Sequence, residues 1–84
     1  MPYIKQEQKA KFQVLINEAL KIENEGELNF VITCFLQQFL LQQGECYKTH
    51  NAILGVLEAV KQEWYRRKTS IYERKKAFEN GDVF

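Results

Sequence analysis

Residues 28–41 hold ten apolar residues in fourteen, spaced so that no single helical face accounts for them. Leu28, Phe30, Val31, Ile32, Phe35, Leu36, Phe39, Leu40 and Leu41 spread around the helix. A narrow polar stripe remains at Asn29, Thr33 and Gln37, each four residues on. A helix this apolar must be covered on several sides. Two further helices in a chain of 84 residues can hardly do so, which predicts a subunit interface and a homo-oligomer. The run falls short of the roughly 18–20 apolar residues that a membrane span needs, so it reads as a buried helix, with no membrane partner.

The remaining pattern predicts an all-α fold: a small bundle of three main helices in a single domain covering 1–84. The first helix is expected over about 7–23, where Phe12, Leu15, Ile16, Ala19 and Leu20 recur at three- and four-residue spacing. The second is expected over 27–43. The third runs over 46–79, with Ile53, Leu57, Val60, Trp64 and Ile71 as its apolar stripe and Trp64 read as core. Gly26, Gly44 and Gly81 each follow a periodic segment, as glycine does after a helix C-terminus. Ser70 and Glu73 have capping-box spacing, which predicts a bend or restart near Thr69. Val83 and Phe84 are expected to tuck back against the body.

The net charge is +1, which gives no general case for nucleic acid or an anionic surface. Its distribution is uneven: Lys61, Arg66, Arg67, Lys68, Arg74, Lys75 and Lys76 face only Glu63 and Glu73 within 61–76. Two cysteines make no disulfide scaffold. Placed on one helix and just past its end, Cys34 and Cys46 lie roughly 15–18 Å apart, beyond bridging distance. Free thiols and the polar first residues predict a cytoplasmic protein.

No enzyme is expected. The single histidine, His50, excludes a histidine-rich metal site, and no spacing suggests zinc or another cofactor. His50 four residues from Cys46 has the form of a Cys–His pair, but lacks an electropositive setting and an oxyanion stabiliser. The most suggestive stretch is 61–68. Arginine offers a planar fork of donors for phosphate, and aromatics offer faces for bases. Lys61 and Tyr65 share a helical face, whereas Arg66 and Arg67 serve different surfaces. Against this stands a plain solvated basic face, with Glu63 pairing Arg67 at i,i+4. The Asn29, Thr33 and Gln37 stripe is either a wet face or, if buried, hydrogen-bonded to a subunit or ligand, with Asn51, Glu58 and Tyr65 as candidate facing groups.

Four blocks carry a resemblance: Met1-Pro2-Tyr3-Ile4-Lys5-Gln6-Glu7; Gly26-Glu27-Leu28-Asn29-Phe30-Val31-Ile32-Thr33; Asn51…Gly55-Val56-Leu57-Glu58…Lys61…Glu63-Trp64-Tyr65-Arg66-Arg67; and Tyr72-Glu73…Lys76…Asn80-Gly81-Asp82-Val83-Phe84. Together they resemble a family of short, functionally uncharacterised all-α proteins of tailed phages and prophages. Phe30 and Trp64 stand where similar proteins often carry other aromatics, and Ser70-Ile71 where a proline is often seen. The resemblance implies a phage-type origin and an infected or lysogenic host. Its pattern includes Asn29, Thr33, Asn51, Glu58, Lys61, Tyr65, Arg66 and Arg67. By analogy with small oligomeric phage sponges, it implies an anti-defence protein that sequesters a cyclic nucleotide or ADP-ribose derivative. Lys61, Arg66 and Arg67 would meet phosphates and Tyr65 or Tyr72 a base, while Asn29, Thr33, Asn51 and Glu58 would read ribose or base edges. A small interaction protein that inhibits a host or phage protein is the alternative, and a nucleic-acid binder is disfavoured by the near-neutral charge.

Overall fold

The computed structural model describes residues 2–84, all of whose regular structure is helical. Met1, the first residue of the family-like pattern, lies outside the described residues. The chain forms two compact units, Pro2–Ile53 and Leu54–Phe84, whose boundary falls inside a helix.

In Pro2–Ile53 the expected first helix is present but broken. It comprises α1 (Gln6–Lys9), a 3-10 turn (Ala10–Phe12), α2 (Gln13–Glu18) and a second 3-10 turn (Ala19–Lys21). Short helices are marginal without packing, and short 3-10 turns are frequent at their ends and between them. Leu20, on that stripe, is 91% exposed. The chain turns extended at Ile22, and α3 (Glu25–Gln43) begins two residues earlier than the glycine spacing suggests. Asn24 is its N-cap, with Oδ1 accepting the Glu27 N–H at 2.9 Å, while the Glu27 carboxylate accepts the Glu23 N–H at 2.9 Å. The first bond satisfies a donor that the helix start leaves open, and the second ties the residue before the cap to the first turn. Gly26 is therefore in the first turn of α3 and terminates nothing. Gly44 does terminate it, with φ +88°, a backbone that L-residues rarely adopt. α4 (Tyr47–Trp64) follows, and the unit boundary lies within it.

In Leu54–Phe84 the helical backbone continues past residue 70, and at the bend or restart expected near Thr69 it carries an irregular turn, with no restart. Instead, Tyr65–Thr69 form a π-helical turn closed by the Ser70 N–H on the Tyr65 carbonyl, and α5 (Ser70–Asn80) follows directly. Ser70 does not cap: its hydroxyl donates back to the Arg66 carbonyl at 3.3 Å. Gly81, at φ +90°, ends α5. The tail does not tuck in, since both Val83 and Phe84 are fully exposed.

Among the described residues no hydrophobic side chain is buried. Trp64, read as core from its stripe, is 62% exposed, and Phe78 is 93% exposed. The one buried residue is polar: Thr49, at 6%. Val31, Leu36 and Leu40 on α3 and Ile53 on α4 are half-buried. The stripes are where the sequence puts them, but within this chain nothing seals them from water.

Candidate functional site

The basic segment begins in the last turns of α4. Glu58, Lys61, Gln62, Tyr65 and Arg66 line one open hollow of about 470 Å³. Their spacing of three and four residues places them on one face. Glu58 organises it, accepting from Gln62 Nε2 at 3.2 Å and pairing with Lys61 Nζ at 3.9 Å.

The π-turn determines where Tyr65 goes. Its phenol donates to the Glu73 carboxylate at 2.7 Å, across eight residues. In an uninterrupted α-helix eight residues advance about 800°, leaving the two side chains roughly 80° out of phase. A π-turn absorbs about one residue, which returns the pair to within roughly 20° of one face. Glu73 holds the Tyr65 phenol above its ordinary pKa, first by accepting its hydrogen bond and then by repelling the phenolate charge.

Not every expected phosphate cation is available. Arg66 is bonded to Glu63, three residues before it, in place of the Glu63–Arg67 pair that the spacing suggests. Lys61 is shared with Glu58. Among the described residues Arg67, Lys68, Arg74 and Lys75 form no salt bridge, so positive charge is least compensated just beyond the hollow. Tyr72 does not share the hollow of Tyr65. It lines another, of about 420 Å³, with Lys76 and the tail, and the Lys76 ammonium lies 5.6 Å from its ring centroid.

The other expected residues belong to Pro2–Ile53. The Thr33 hydroxyl donates to the Asn29 carbonyl at 2.8 Å, with Asn29 Oδ1 at 3.2 Å, so this stripe satisfies its own hydroxyl within α3. Asn51 is exposed on α4. Cys46 and His50 do not pair. The His50 ring meets Glu45 at 3.1 Å, and the Cys46 thiol lies 3.5 Å from the Thr49 hydroxyl. That hydroxyl and the Thr49 N–H in the first turn of α4 lower the Cys46 pKa, burial opposes them, and the Lys48 N–H adds to the lowering. Both thiols are free and exposed. The same unit holds an open apolar groove of about 540 Å³ between the Leu15–Ile22 side and α3.

Among the described residues no group of three or more histidines, cysteines and carboxylates could hold a metal ion, and no helix is long and apolar enough to cross a membrane. Sequence reasoning missed Gln62 and Glu73. Gln62 had a signal, lying four residues from Glu58 and three from Tyr65. Glu73 entered through its capping-box spacing from Ser70, but nothing linked it to Tyr65, because i and i+8 of a regular helix do not face each other.

The class defined so far is an all-helical chain with exposed apolar faces and a polar hollow at a π-turn. The chain belongs to the family described as domain of unknown function DUF6899, which matches residues 1–83. No curated protein and no solved structure matches the chain.

Proposed function

We propose that this chain is a non-catalytic binding protein that captures a phosphorylated, nucleotide-derived small molecule around Tyr65 and acts as a homo-oligomer. The observation that carries the reading is the hollow lined by Glu58, Lys61, Gln62, Tyr65 and Arg66. Its volume of about 470 Å³ suits a small-molecule site, and it combines one aromatic face with hydrogen-bond donors and acceptors. The Lys61–Glu58 pair is exposed, and such a pair contributes only about 0–1 kcal/mol, so a phosphate can displace it. Arg66 also lines the hollow, whereas Arg67 lies on another face. Tyr65 and Glu58 would read a base or ribose. Asn29 and Thr33 are engaged with each other, and the reading does not depend on them. Sequestration of a nucleotide immune signal, as an anti-defence protein of phage type, is the biological role that this capture would serve.

Thermal unfolding against a panel of cyclic nucleotides and ADP-ribose derivatives tests it. A ligand at a hundred times its Kd adds roughly 2.7 kcal/mol, several degrees in a domain this small. Lys61→Ala should weaken the responding ligand at least tenfold, and Arg66→Ala less, because the half-buried Glu63 already holds that guanidinium. A flat panel, on protein free of carried-over metabolite, would sink the reading. The second reading, a protein that inhibits a host or phage protein by binding it, is favoured by the apolar groove of Pro2–Ile53.

A further inference from the structure

We infer that the apolar groove of Pro2–Ile53 is the seat of a second copy of this chain, each copy placing the Leu28 to Phe35 stretch of its α3 in the groove of the other. The inference deepens the homo-oligomeric part of the reading above by naming the surface.

The groove is built by Leu15, Ala19 and Ile22 on one side and by Leu28, Val31, Ile32 and Phe35 of α3 on the other. Leu15, Leu28, Phe30, Ile32 and Phe35 remain 40–67% exposed, and Ile16 and Leu20 beside them more so on average. Taking roughly 200 Å² for a large apolar residue, the five that line the groove leave on the order of 500 Å² of apolar surface in water, about the non-polar share of one side of a standard interface. One side of a standard stable interface buries about 800 Å².

Three further observations select a second copy over another occupant. Since no hydrophobic residue among those described is buried, this surface needs its cover whenever the chain is folded. The partner present at matching concentration at all times is the chain itself. The rim carries both signs, Glu18, Lys21 and Glu27, and Glu18 already pairs with Lys21, so it does not select a strongly charged partner. The Thr33 hydroxyl is satisfied by Asn29, so α3 can be covered without stranding it. A patch that meets its own copy forms a closed two-fold contact.

Sedimentation equilibrium of the full chain, with and without Phe35→Glu, is the first test. The wild type is expected to be a dimer or a closed multiple of one, and the variant to fall by at least tenfold in self-affinity. Because that variant could also unfold, Ile32→Cys in a Cys34→Ser, Cys46→Ser background is treated with a short bismaleimide. Covalent dimers are expected from Ile32→Cys and not from Val56→Cys. A wild type that stays monomeric at tens of micromolar with full helical circular dichroism would overturn the inference and leave the groove to another protein. An oligomer that resists Phe35→Glu and gives no Ile32→Cys cross-link would also overturn it. Ligand-induced shifts in a monomer would spare the capture reading, and an oligomer with a flat ligand panel would defeat capture alone.

Discussion

Pro2–Ile53 and Leu54–Phe84 lack buried hydrophobic residues alike, yet they present different chemistry to water. The first offers an apolar groove flanked by interrupted helical turns, and the polar groups of α3 beside it are held by backbone: Asn24 in a cap, Thr33 on a carbonyl. The second offers a hollow whose polar groups are arranged among side chains: Gln62 and Lys61 on Glu58, Tyr65 on Glu73. The part that most needs cover is thus distinct from the part equipped to read a small polar ligand. Association and recognition should therefore respond to different substitutions.

The largest expected contrast lies at two glycines with nearly the same backbone. Gly44 has φ +88° and Gly81 φ +90°, and added Cβ atoms would meet open space at both. Any cost is therefore conformational, about 1–3 kcal/mol for an L-residue held there. Between α3 and α4 the chain must keep that geometry, so Gly44→Ala should lose this amount in urea denaturation at fixed protein concentration. Beyond Gly81 only an exposed tail follows, free to rearrange, and Gly81→Ala should stay within about 0.5 kcal/mol. Equal losses would mean that the tail is held as firmly as the α3–α4 turn.

Removing the α3 cap with Asn24→Ala should cost about 1 kcal/mol by the same assay. It should leave binding at the Tyr65 hollow unchanged, and a weakened ligand would break the separation between the two units.

Tyr65 gives a subtler contrast within the four tyrosines. Its pKa is raised, so the bond to Glu73 is fully present below the ordinary tyrosine value of about 10 and is lost as pH rises through the raised value. Phenolate absorbance should show Tyr65 titrating late, and Glu73→Gln should bring it earlier. In the other unit Cys46 is shifted the opposite way for a thiol. Thr49→Val should slow its alkylation near neutral pH, and equal rates would show that the Thr49 hydroxyl does not hold the thiolate.

Much of this was legible from residues alone. The all-helical class, the extent of α3, the glycine stops at 44 and 81, and the shared face of Lys61 and Tyr65 follow from periodicity and from glycine's backbone freedom. Periodicity places stripes but cannot say whether they are covered, which is why Trp64 and the tail read as packed and are exposed. Nor can it say how each turn closes. Residues 6–21 keep their i,i+3 and i,i+4 apolar spacing while tightening twice to 3-10 geometry. Gly26 misled because a glycine next to polar residues looks the same at a helix end and in a first turn. The Asn24 and Glu27 pair was the better guide. The candidate site was found in part: Glu58, Lys61, Tyr65 and Arg66 come together, but the ion pairing of Arg66 and the reach of Tyr65 to Glu73 depend on local geometry that residue spacing does not carry.

That geometry has an evolutionary side. A π-turn is how a helix stores one surplus residue, so the turn between Tyr65 and Ser70 absorbs a change in chain length without passing it downstream. Losing a single residue there need not break the helix; it would relax to ordinary α geometry and leave α5 in nearly the same rotational phase. Tyr65 and Glu73, then seven residues apart, would still lie within roughly 20° of one face. The surface beyond the turn is thus buffered against a one-residue loss at this spot.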